Sequence, residues 1–106
     1  MIVRTSEALV RPESRAEFLT TLHALVEGFP AAYPGLIDHE VLVDHHDPDR
    51  ILYVSRWASE EGLAHYAGVN WATEPVTFPD EDRYLQRPLT LRHFSAQTID
   101  SPTRGR

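Results

Sequence analysis

The sequence predicts a single α+β domain of ferredoxin-like topology, a four-stranded antiparallel sheet built in the chain order β-α-β-β-α-β. Three observations predict it. Six apolar side chains between Phe18 and Phe29 recur at the spacing of one helix face, two β-rich runs at 36–44 and 51–57 flank a short polar turn, and a Ser-capped helix separates that hairpin from a last β-rich run. With 106 residues there is room for one core, since domains commonly hold about 100–150 residues. The domain is expected over 1–97, with a polar Ser/Pro/Gly/Arg tail at 98–106 expected to be flexible.

Residues 2–10 mix apolar and polar side chains over a strand's length and form the expected first strand. Ser14 followed by Glu17 reads as a capping box, in which a hydroxyl and a carboxylate each satisfy a free amide at a helix start. Phe18, Leu19, Leu22, Leu25, Val26 and Phe29 then fall on one face of a 3.6-residue period, and that face packs on a sheet. Gly28 and Pro30 end the helix, and Tyr33-Pro34-Gly35 turns the chain into the next strand. The runs 36–44 and 51–57 form an antiparallel hairpin across His45-His46-Asp47-Pro48-Asp49-Arg50. Ser59 caps a second helix, with Glu60 and Glu61 where the helix dipole favours negative charge and Leu63, Tyr66 and Ala67 as its apolar face. Residues 69–88 hold Trp71, Phe78 and Tyr84 among three prolines with no sustained period, a pattern typical of a lid or an interface arm. Residues 89–97 supply the last strand.

Composition excludes several classes. The charged fraction of 25% and hydrophobic fraction of 42% are those of a folded globular chain. Ten basic against sixteen acidic residues give a net charge of −6 without a basic patch, which argues against nucleic acid as partner. The absence of cysteine removes disulfides, thiolate ligands and a cysteine nucleophile, and suits a reducing compartment, so a cytoplasmic location is expected. No apolar run approaches the roughly 18 residues of a membrane span, so no membrane partner is expected. The chain carries no Gly-rich phosphate loop, GxSxG elbow or HExxH pattern.

Both helices lie on one face of such a sheet, which leaves the other bare. The second strand (Ile37, Val41, Leu42, Val43) and the third (Ile51, Leu52, Tyr53, Val54) carry bulky apolar residues on both alternating faces. The second face therefore needs a cover, and a second copy of the chain, giving a homodimer, is the expected one.

Pro12 six residues before Phe18, Pro34-Gly35 before the second strand, and Val54-Ser55-Arg56-Trp57-Ala58-Ser59-Glu60-Glu61-Gly62-Leu63 occur in an order that resembles the antibiotic biosynthesis monooxygenase domain family over roughly residues 2–97. The resemblance implies a dimeric α+β barrel with a pocket between helices and sheet in each subunit. It further implies a cofactor-independent monooxygenase that oxidises a phenolic or hydroquinone-like, polyketide-type aromatic with O2 to a quinone, without flavin or metal. A cyclase or isomerase on a similar substrate, or a small-molecule-binding module without catalysis, is the alternative, because the family also holds isomerases and haem-degrading enzymes. Trp57 matches a Trp that lines the pocket in several members. The Asn that many members carry on the first strand is replaced by Thr5-Ser6-Glu7, and the His expected in the second helix by Tyr66, with His65 one position earlier. The stretch Val69–Thr73 lacks the axial His of the haem-degrading branch, so haem is not expected.

Such chemistry asks for a proton acceptor that turns a phenol into an electron donor for O2, inside an apolar pocket. His39 and His93, which titrate near neutrality, are candidate bases, and Trp57 and Tyr66 candidate donors, so these four form the expected catalytic set. Ser6, Tyr53, Trp71 and Tyr84 are the candidate substrate-binding side chains. Each has a competing structural role: Trp57 as strand anchor, Tyr66 as a buried tyrosine satisfied by backbone, Trp71 and Tyr84 as plain packing. His65 is expected to face solvent. Asp44-His45-His46-Asp47-Pro48-Asp49 is the one ligand-like cluster, and turn geometry alone explains those residue types, so no metal is expected there.

Overall fold

The computed structural model describes residues 1–97 and Ile99; the remainder of the expected tail lies outside the described residues. Strands β1 (Ile2–Leu9), β2 (Leu36–Val43), β3 (Arg50–Trp57) and β4 (Thr90–Ser95) pair throughout as antiparallel neighbours in the order β2-β3-β1-β4. Helices α1 (Arg15–Val26) and α3 (Glu60–Ala67) are the two crossovers, joined by short helices α2 (Phe29–Ala32) and α4 (Glu81–Tyr84). The result is the ferredoxin-like α+β fold. α2 was not expected, and it arises because Pro30 occupies its first turn, where a missing N–H costs nothing.

The register sorts each strand onto two faces. On the face toward the helices, four rows cross the sheet: Leu36-Trp57-Ile2-Ser95, His39-Ser55-Arg4-His93, Val41-Tyr53-Ser6-Leu91, and Val43-Ile51-Ala8. A bulge in β2 between Leu36 and Asp38 sets this arrangement. One inserted residue reverses the alternation, so that Leu36 and His39, an odd number of positions apart, share the inner face. The opposite face carries Val3, Thr5, Leu42, Leu52, Val54 and Phe94, with Arg56 bonded to Asp38 and Arg50 to Glu7 at its ends. Leu42 and Phe94 are 43% and 51% exposed there.

The core has two parts. Ala8, Val10, Phe18, Leu22, Val26, Ile51, Phe78, Tyr84 and Leu85 form the larger, and Leu36, Trp57 and Leu63 the smaller. The six-residue apolar face of α1 is confirmed in large part: Phe18, Leu22 and Val26 are buried, Leu19 and Phe29 pack against the core, and Leu25 stays partly open.

Ser59 caps α3 by accepting from the Gly62 amide at 3.2 Å, as expected. Ser14 makes no side-chain cap, which corrects the capping-box expectation. Pro12 opens a 3-10 turn over Pro12–Ser14, so the chain enters α1 with Ser14 at ψ 0° and not in the extended conformation that capping requires. Glu17 instead accepts from Arg83 and from the Tyr84 hydroxyl. A β-carbon on Gly35 would stand 2.9 Å from the Gly62 Cα, so the turn before β2 and the start of α3 meet backbone to backbone, and only glycine at Gly35 permits it.

The 69–88 stretch is tied down and is not a free arm. Gln86 N–H donates to the Leu9 carbonyl and Arg11 N–H to the Tyr84 carbonyl, each at 2.8 Å, and Val10 bridges Leu85. Hydrophobic period could not reveal this, because the segment is held by short-range bonds to the end of β1 and by scattered anchors, Phe78, Tyr84 and Leu85.

Candidate functional site

The inner face of the sheet holds an apolar cleft beneath α1. Its floor is Ser6, Ala8, Ile51 and Tyr53, its roof Phe18, Leu22, Leu25, Val26 and Phe29, and Tyr66 with Val76–Phe78 completes the walls. It encloses about 490 Å³ of atom-free space, part of it open to solvent. Only three of these side chains, Ser6, Tyr53 and Tyr66, offer polar hydrogen-bonding groups apart from Thr77. A largely apolar hollow with a few converging polar groups is the form that small-molecule sites take.

Tyr53 bridges the cleft and the edge of the sheet. Its hydroxyl lies 2.7 Å from His39 Nδ1, and His39 also lines a surface groove with His23, Glu27 and Glu40. Burial, reinforced by Tyr66, raises the Tyr53 pKa well above that of a free phenol, so the hydroxyl stays protonated. With His39 accepting at Nδ1, a chain of hydrogen bonds runs from the cleft floor through the Tyr53 hydroxyl to an imidazole near solvent.

The row beside it is more polar. Arg4, only 2% exposed, donates from Nη1 to the Trp71 carbonyl at 2.8 Å and toward His93 Nε2 at 3.0 Å. Since a guanidinium only donates, His93 Nε2 accepts and the imidazole proton sits on Nδ1. Burial and the Arg4 charge both lower the His93 pKa, which keeps the ring neutral at pH 7. The lone pair a base would use is therefore engaged by Arg4. Burial also lowers the Arg4 pKa, offset in part by Tyr66.

The predicted site residues thus divide. Ser6, Tyr53 and Tyr66 line the cleft, and His39 reaches it through Tyr53. Trp57 is fully buried, donates from Nε1 to Ser55 Oγ at 2.9 Å and stacks on Tyr66 with ring centroids 5.2 Å apart. It stands behind the cleft wall. Trp71 packs edge-on against His93, and Tyr84 sits in the core against Phe18 and Phe78; neither lines the cleft. His65 is exposed, as expected. In the hairpin turn, Asp44 Oδ1 accepts from the amides of His46 and Asp47, and these bonds hold the Asp44 pKa below its ordinary value. Among the described residues no group of three or more His, Asp or Glu is placed to hold a metal ion.

Sequence reasoning missed Arg4. It shares the parity of Ile2, Ser6 and Ala8, but Val3 and Leu9 make the other face of β1 equally apolar, so alternation alone does not point Arg4 inward.

An α+β sheet with an apolar cleft under its first helix defines a small-molecule-binding class of ferredoxin-like domain. The chain belongs to the antibiotic biosynthesis monooxygenase family, whose sequence profile matches residues 1–68. Solved structures share the fold. A protein described as an antibiotic biosynthesis monooxygenase is 19% identical, with 92% of this chain and 100% of that chain covered and a TM-score of 0.71. A conserved protein from Methanosarcina mazei Go1 is 21% identical, with coverage of 91% and 92% and a TM-score of 0.73. A Mycobacterium tuberculosis protein is 14% identical, with coverage of 94% and 98% and a TM-score of 0.71. No curated protein sequence matches at a significant level. Family membership supports a monooxygenase-type role in general terms, and the substrate has to be argued from the site. No helix among the described residues is long and apolar enough to cross a membrane.

Proposed function

We propose that the protein is a cofactor-independent monooxygenase that oxidises a phenolic or hydroquinone-like aromatic to a quinone in the cleft beneath α1. The observation that carries this reading is the Tyr53–His39 pair on the floor of an apolar hollow. A substrate hydroxyl seated over Tyr53 passes its proton to the Tyr53 oxygen as Tyr53 passes its own to His39 Nδ1. The electron-rich anion left in the hollow donates one electron to O2, and the resulting radical pair joins through a new C–O bond. Protonation gives a hydroperoxide at a ring carbon that still bears hydrogen. Loss of water from it leaves a carbonyl, so one oxygen atom ends in the product and the other in water. The protein's part is to exclude water, orient the ring and accept the proton.

Oxygen uptake with a panel of anthrones and hydroquinones tests the reading. Quinone formation with stoichiometric O2 consumption is expected for at least one member. Turnover that continues without oxygen would transfer the cleft to a cyclase or isomerase, and ligand binding without turnover would leave a binding module.

The working unit is proposed to be a homodimer joined through the outer sheet face. The exposed Leu42 and Phe94, beside Leu52 and Val3, support this, since an unpaired sheet face with apolar side chains is normally covered. Sedimentation equilibrium is expected to return twice the 12.1 kDa chain mass. A monomer at micromolar concentration, roughly the range where weak dimers dissociate, would refute the dimer.

A further inference from the structure

Arg4 is the only charged side chain among the described residues that is buried. Its surroundings are a hydroxyl row-mate, Ser55, a neutral imidazole, a carbonyl and a tyrosine ring; no carboxylate among the described residues pairs with it. Nη1 spends its bonds on Trp71 and His93, whereas Nη2 is buried and finds no hydrogen-bond partner. Burying an ion without a counter-ion is costly, and a buried cation with free donors is stabilised when an anion arrives.

Its place in the fold says where such an anion comes from. Arg4 and Ser6 project from the same face of β1, and Ser6 is cleft floor. Tyr66 touches both regions: it lines the cleft, and its ring centroid lies 5.9 Å from the Arg4 guanidinium carbon. The Arg4 row and the Tyr53 row are adjacent, a step of two residues along the strand, or roughly 7 Å. That step matches the span between substituents on opposite ends of two fused aromatic rings.

We infer that the cleft recognises an aromatic hydroxy acid, whose carboxylate pairs with the free Nη2 of Arg4 while its hydroxyl lies over Tyr53. This rests on the proposed function for the role of the hydroxyl, and it adds the substrate class. Arg4 is the specificity determinant, since its planar fork suits a carboxylate and leaves a neutral isostere with an unsatisfied partner. Tyr66, which faces both the cleft and the guanidinium, moves aside to admit the carboxylate.

The test is calorimetric binding of 6-hydroxy-2-naphthoate and its carboxamide to the full chain at pH 7, without oxygen. The acid is expected to bind at least about tenfold tighter than the amide to the unmodified protein, about the value of one charge-assisted bond. Arg4→Met is expected to abolish or invert that preference, and Arg4→Lys to keep part of it. Equal affinities for the two probes, no binding of either, or a preference that survives in Arg4→Met would overturn the inference. The comparison on the unmodified chain decides the matter even if Arg4→Met does not fold. Because no turnover is read, failure of the oxygenase reading leaves this ratio unaffected, and oxidation of neutral hydroquinones with equal probe affinities would sink the hydroxy-acid assignment alone.

Discussion

Replacing Tyr53 by Phe is expected to lower turnover of the best panel substrate by about 10²–10⁴-fold, the usual contribution of a positioned acid–base group. The substitution removes one oxygen atom and keeps the ring, which packs near Phe29 at a centroid distance of 6.2 Å, so the cleft retains its shape. His39→Ala is expected to fall by a similar factor, because the Tyr53 hydroxyl then loses the acceptor 2.7 Å away. The double variant should fall no further than either single one, since two members of one proton path act as a unit. His93→Gln serves as the control. Its amide oxygen replaces the acceptor that Nε2 presents to Arg4, and turnover should stay near that of the unmodified chain. Initial rates of oxygen uptake measure all four, and a His93→Gln loss as large as that of Tyr53→Phe would move the base to the other end of the sheet.

Trp57→Ala is expected to cost about 3–5 kcal/mol of stability, the range for truncating a large buried aromatic. Domains of this kind hold about 5–15 kcal/mol in all, so the variant should be partly unfolded at ordinary temperature. The ring is wholly buried, seals the smaller core against Leu36 and Leu63, and backs Tyr66 by stacking at an interplanar angle of 15°. Trp57→Phe keeps an aromatic in place but leaves Ser55 Oγ without the indole N–H, so a smaller loss is expected. Urea unfolding followed by circular dichroism measures both. A Trp57→Ala variant as stable as the parent would show that the ring is not the anchor its burial indicates. The influence of Trp57 on the cleft is therefore exerted through Tyr66.

Much of the architecture was readable from residue pattern because local and tertiary preferences agree. The 18–29 apolar face, the Ser59 cap and the two β-rich runs each appear close to where spacing puts them. What was not readable has identifiable causes. The bulge beside Ile37 carries no composition signature, yet it decides that His39 faces inward. Ser14 looked like a cap because the capping pattern is a statement about residue types, whereas Pro12 fixed the backbone differently. Within the site, Tyr53, Ser6 and Tyr66 could be named from position, but the pairing of Tyr53 with His39 depends on register, and the engagement of His93 depends on Arg4. A buried arginine is invisible to a pattern that assumes charge faces water.

The central claim is that this cleft performs an oxygen-dependent oxidation with proton transfer through Tyr53 and His39. Turnover under ¹⁸O₂, with mass analysis of the quinone, tests it most directly. One labelled oxygen atom in the new carbonyl, lost together with rate in Tyr53→Phe, is the result predicted. Quinone that carries only solvent oxygen, or product formed equally well under nitrogen, would contradict it.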